Sequence, residues 1–213
     1  MNNEDTNFKN WILTSAICGL LACINYTLIS IPVLAFPKLL TYVLAFSFGP
    51  LLSVASMGLY QILKQQNKTV SLQIATVFNV LAGMIVTLML VVQSSIREYA
   101  TIYKNQIVEN SEKEMFNWIF KEVNSVQLGL DVSWDIFISI GTFLFALNMF
   151  SHPQFGKIFS FSGMIIAPFL LVFNLLTFPV PPADAGLIDF GPFVGLWYLV
   201  VSVQVFRIWK WQP

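Results

Sequence analysis

The chain has 213 residues, 56% of them hydrophobic and only 10% charged, and a mean hydropathy of +0.72. Soluble domains carry roughly 25% charged residues, so this composition excludes an ordinary water-facing surface. Eleven basic and eleven acidic residues cancel to a net charge of zero, which leaves no basic field to attract a nucleic-acid partner.

Six apolar runs, at about 11–31, 40–63, 69–92, 128–150, 158–178 and 193–208, are long enough to cross a bilayer, which takes roughly 20 helical residues. They use up nearly the whole chain. The predicted architecture is all-α: a polytopic transmembrane helix bundle of about six spans, forming one integral membrane domain over residues 1–213, in contact with the lipid bilayer. The first ten residues hold two acids and one lysine, and no small-residue cleavage site follows the first run. That run is expected to be a retained span, not a removed signal.

Span one presents Ser15, Cys18, Gly19, Ala22, Tyr26 and Ser30 at helical spacing, a small and weakly polar face suited to close helix contact. Asn25, beside that face, needs a hydrogen-bond partner at depth. Cys18 and Cys23 are five residues apart and point in different directions, so they read as packing residues. Pro32 and Pro37 bracket a short connection. Gly49-Pro50 in span two is expected to kink it. Span three carries a polar stripe of Gln73, Thr76, Asn79, Gly83 and Thr87.

Residues 93–125 form the one long connection, rich in Ile, Tyr, Phe and Trp, with no Gly or Pro. Span three is expected to continue as helix into it. A new helix is expected from Ser111, because Ser111 and Glu114 have capping-box spacing. Met115, Trp118, Ile119 and Val123 would share a face. The expectation is an amphipathic helix between spans three and four, lying on the membrane or over the bundle's mouth. This stretch is the candidate surface for a protein partner; no oligomeric state is specified by the sequence.

Span four contains two carboxylates, Asp131 and Asp135. With Ser139 and Thr142 they follow at spacings of four, four and three, which places all of them on one helix face. Lipid cannot solvate such a stripe, so it must face other helices, water or the interface. Counting back about 20 residues from Phe150 puts Asp131 at the membrane edge, so the expectation is an interfacial pair, in water or paired with a base such as Lys121. The alternative is a buried proton or cation site in a polar cavity formed by Asp131, Asp135, Ser139 and Thr142 with Thr76 and Asn79 of span three and Asn174 of span five. The span-three stripe has its own plain reading, as interhelical hydrogen bonds.

His152 is the only histidine and is expected to be a solvent-exposed loop residue. No HxxxH, HExxH or CxxC ligand spacing occurs, and neither a GxSxG elbow nor a phosphate-binding glycine loop is present. The sequence therefore nominates no metal, no cofactor and no catalytic residue. Asp189 is expected to cap the N-terminus of span six. Arg207, Lys210, Trp209 and Trp211 are expected to anchor its other end in the interface. Six bases (Lys9, Lys64, Lys68, Lys157, Arg207, Lys210) fall on one side of the membrane and Lys38 alone on the other, the long connection set aside. Both termini are expected in the cytoplasm.

From Leu128 onward the chain resembles a bacterial domain-of-unknown-function family of small multi-pass membrane proteins. The resemblance lies in an Asp at the head of a span (LGLDVSWDIFISIG), a short connection with Gly before the next (HPQFGKIFSFSGMII), and a closing Gly-Pro-Phe…Trp span (DFGPFVGLWYLV). It implies a protein of the bacterial inner (plasma) membrane and draws attention to Asp131 and Trp197. The leading expectation is a non-enzymatic protein that acts by binding or scaffolding. The alternatives are a proton- or cation-coupled small-solute transporter and a membrane enzyme, each using the carboxylate pair.

Overall fold

Six α-helices follow one another: α1 (Asn3–Ser30), α2 (Lys38–Leu63), α3 (Val70–Lys104), α4 (Asn110–Met149), α5 (Gly156–Thr177) and α6 (Gly191–Lys210). The computed structural model describes residues 3–31, 34, 36–104 and 110–210. Pro32 and Trp211 lie outside them. All six helices are long and apolar enough to cross a membrane, so the fold is that of an integral multi-pass membrane protein.

Each helix packs against its neighbour in the chain, and α6 closes back on α1. The result is an up-and-down ring of antiparallel neighbours, the arrangement that short connections impose. It gathers Lys9, Lys64, Lys68, Lys157, Arg207 and Lys210 at one end, where α1 begins, α2, α4 and α6 end, and α3 and α5 begin.

Small residues set how closely the helices approach. A Cβ added at Gly49 would lie 2.0 Å from the Gly83 carbonyl oxygen, so α2 and α3 touch backbone to backbone beside Pro50, which α2 accommodates within its length. Polar groups find partners across the same interfaces. Asn25 donates to Ser47 (3.0 Å) between α1 and α2. Thr69 donates to Asn148 (2.7 Å) from the foot of α3 to α4. Trp197 Nε1 donates to the Phe159 carbonyl (2.9 Å), stapling α6 to α5.

The amphipathic stretch is helical and runs without a break into span four, making α4 40 residues long. The part of α4 from Asn110 to Gln127 rises about 25 Å; α3 packs along α4, and Ile96, Ala100, Phe116 and Phe120 line an apolar crevice between the two. α3 and α4 thus form a hairpin that projects past the other helices. At its base Glu98 accepts from Lys38 (2.5 Å) and Tyr42 (2.6 Å) of α2.

His152 differs from expectation: only 6% of it is exposed. The turn after α4 folds it under the bundle against Phe155, with ring centroids 5.2 Å apart, and its Nδ1 accepts from the Gln154 amide (3.3 Å). Burial lowers its pKa from the ordinary 6.5, opposed by a hydrogen bond to the Ile62 backbone.

Candidate functional site

Gln127, Asp131 and Asp135 succeed one another at one-turn spacing on α4, so their side chains stack on one face. All three line a cavity of about 610 Å³ at the end of the bundle opposite the six bases. Every helix contributes to its wall. Tyr26 comes from α1, Ala45 from α2, Gln93 and Arg97 from α3, Trp134 from α4, Asn174 from α5 and Gly191 from α6, with Asp189 from the connection before α6. Arg97, Asp189 and Tyr26 are exposed and mark the rim. The size suits a small molecule.

Asp135 is 2% exposed and Gln127 7%, yet among the described residues neither side chain finds a hydrogen-bond partner, and Asp135 pairs with no base. Asp131 is half-buried and equally without a base. Lys121, one base that the pair was expected to meet if not water, is exposed on the hairpin. Adjacent carboxylates on a helix stand roughly 5–6 Å apart at Cβ, so Asp131 and Asp135 reinforce each other's negative field. Asp189 adds a third carboxylate, although its Oδ1 already accepts from the Gly191 amide (2.8 Å); it stands one residue ahead of the N-cap position expected for it, which Phe190 holds by accepting from the Val194 amide (3.1 Å). Among the described residues, three carboxylates and one guanidinium line this cavity. Among the described residues no three His, Cys, Asp or Glu side chains come together as metal ligands.

Of the other residues expected in the polar cavity, Asn174 lines this one and Thr76, Asn79, Ser139 and Thr142 do not. Asn174 is on the wall, with its Nδ2 donating to Leu170 of its own helix (3.0 Å). Thr76 likewise bonds back to Leu72 (2.9 Å). Ser139 is buried without a hydrogen-bond partner, as is Trp134 Nε1. Asn79, fully buried, and Thr142 belong to a separate cluster deeper in the ring. There Thr142 Oγ1 lies 2.9 Å from Tyr198 Oη, Tyr198 donates to Asn79 Oδ1, and Asn79 Nδ2 donates to Ala75 (2.9 Å). Thr142 is seven residues beyond Asp135, about 10 Å along the helix axis. The four-residue spacing of the stripe, continued backward, finds Gln127. Tyr198 and Arg97 carry no such signal, because only the packing of three distant segments brings them in.

Trp197, singled out by the resemblance, is buried between α5 and α6 with Gly163 beneath its ring and serves packing. No family model, curated protein or solved structure matches the chain.

Proposed function

We propose that this membrane protein binds a small positively charged solute in the cavity lined by Asp131 and Asp135, without converting it chemically. The observation that carries this is Asp135, a buried carboxylate on a cavity wall with no base and no hydrogen bond. Ionising a carboxylate held that way is costly, and a cationic ligand offsets that cost. The test is thermal unfolding of the purified protein at fixed pH with sodium, magnesium, methylammonium and guanidinium. Stabilisation by at least one cation, lost in Asp135→Asn, is the expected result; identical profiles of the two proteins would remove the proposal.

A cytoplasmic location for the six-base end follows from the positive-inside rule. The cavity then opens to the outside of a bacterial plasma membrane. Proton- or cation-coupled transport is the second reading, favoured by the hydrogen-bonded cluster of Thr142, Tyr198 and Asn79 below the cavity. Flux into liposomes tests it. Residues 93–125 are proposed to meet a protein partner, since Tyr99, Tyr103, Met115 and Trp118 lie exposed on the projecting hairpin.

A further inference from the structure

Beside the acidic cavity lies a second one, of about 500 Å³, between α1 and α6. Cys23, Phe48, Leu52, Ile138 and Leu199 give it an apolar wall. The two are contiguous: Tyr26, Ser30, Trp134, Gly191 and Pro192 border both. Ile31 and Leu196, on the lining of the second, are also exposed on the outer surface, so this chamber reaches the lipid-facing side of the ring. A Cβ built on Gly195, in its wall, meets nothing within 4 Å.

We propose that the two chambers together take one amphiphilic organic cation, with its ammonium group against Asp131 and Asp135 and its apolar chain in the groove between α1 and α6. Three independent features point the same way. The acidic chamber presents Asp135 and Gln127, both more than nine-tenths buried and both without a partner among the described residues. An ammonium group supplies the charge that Asp135 lacks and a donor for the Gln127 amide oxygen. The aromatic rings of Tyr26 and Trp134 stand at the junction, where a cation can also lie over a ring face. The neighbouring groove is apolar and holds no charged residue, so it rewards a hydrocarbon chain and penalises a second charge. A small inorganic cation would leave that chamber unused.

This ligand class rests on the cation-binding cavity proposed above, and one titration series separates the two. Full-length protein in a maltoside detergent is titrated calorimetrically with methylammonium, butylammonium and hexylammonium. Hexanol and hexyl sulfate serve as controls of equal chain length. Affinity is expected to rise about threefold to fourfold per methylene, with hexanol and hexyl sulfate binding at least tenfold more weakly than hexylammonium. Gly195→Leu, whose Cβ would meet open space in the groove wall, should abolish the chain-length gain while methylammonium binds as before. Asp135→Asn should weaken all three amines; should that variant fail to fold, the Gly195→Leu series decides alone. Dihexanoyl phosphatidylethanolamine, titrated beside hexylammonium, distinguishes a lipid headgroup from a free amine, because only the lipid brings a phosphate to Arg97 at the rim. Equal affinity for all three amines would overturn the amphiphile and leave the cation cavity standing. No amine binding at all would overturn both. Hexanol binding as tightly as hexylammonium would reduce the site to an apolar groove.

Discussion

Tyr198 of α6 donates its phenolic hydrogen to Asn79 of α3, across the centre of the ring. Neither residue belongs to a neighbouring helix of the other; Thr142 of α4 joins them, 2.9 Å from the same hydroxyl. The one Tyr198 hydrogen is spent on Asn79, so Thr142 is the donor and Tyr198 the acceptor in that contact. A three-helix connection of this kind fixes how α6 sits against α3 and α4, below the cavity.

Tyr198→Phe removes the centre of the chain. It leaves Asn79 Oδ1 without its donor and Thr142 without its acceptor, in a place that water does not reach. The expected loss is about 1–2 kcal/mol. Thr142→Val should cost less, because the bond between Tyr198 and Asn79 survives it. Chemical unfolding of the two single variants and the double variant checks this, with a non-additive double mutant expected.

Two glycines on α4 should respond oppositely to alanine. A Cβ at Gly141 would sit 2.2 Å from Asn79 Nδ2, so Gly141→Ala pushes into the polar cluster and should cost about 1–3 kcal/mol. A Cβ at Gly129 meets nothing within 4 Å, and glycine is a poor residue for a helix interior. Gly129→Ala should therefore stabilise the protein by about 0.5–1 kcal/mol. Apparent melting temperatures of the pair, measured side by side, give both signs at once.

Without ligand, Asp135→Asn should be at least as stable as the wild type. The amide has the same shape and cannot ionise. Stability gained at the expense of ligand binding is the pattern of a binding residue; a structural carboxylate would destabilise when replaced. Unfolding of the ligand-free proteins separates the two.

His152 gives a pH signature at the opposite end of the bundle. Burial holds its folded pKa below the ordinary 6.5, so on acidification the unfolded chain takes up the proton first. Its contribution is complete above about 6.5 and is lost as pH falls through that value toward the lower folded pKa. As the only histidine, it can be isolated by difference. Between pH 7.5 and 5 the melting temperature of the wild type should fall more steeply than that of His152→Gln.

Periodicity and length made the six helices legible in the sequence, because membrane spanning demands both and little else. The Asp131–Asp135 face was legible for the same reason, being local to one helix. Their surroundings were not. A count along the helix from Phe150 does not say which neighbours enclose Asp135, and residues from all six helices line the cavity it faces. His152 escaped because the turn Ser151–Phe155 is polar by composition and is folded under by Phe155. Tyr198 escaped because one buried hydroxyl in an apolar run has no spacing to betray it. The apolar groove between α1 and α6 is a gap between surfaces, which no single stretch of residues encodes.

Gln127 is the position from which to measure whether the cavity is open, acidic and selective for cations. Gln127→Cys, in a chain with Cys18→Ser and Cys23→Ser, leaves Asp131, Asp135 and Asp189 in place. Labelling rates in liposomes are compared for methanethiosulfonates carrying a trimethylammonium or a sulfonate group. Ser125→Cys, exposed on the same helix, supplies the reference ratio. An acidic cavity predicts a cation-to-anion rate ratio at residue 127 that exceeds the reference by about tenfold or more. A ratio equal to the reference, or a residue 127 thiol that neither reagent reaches, would contradict it.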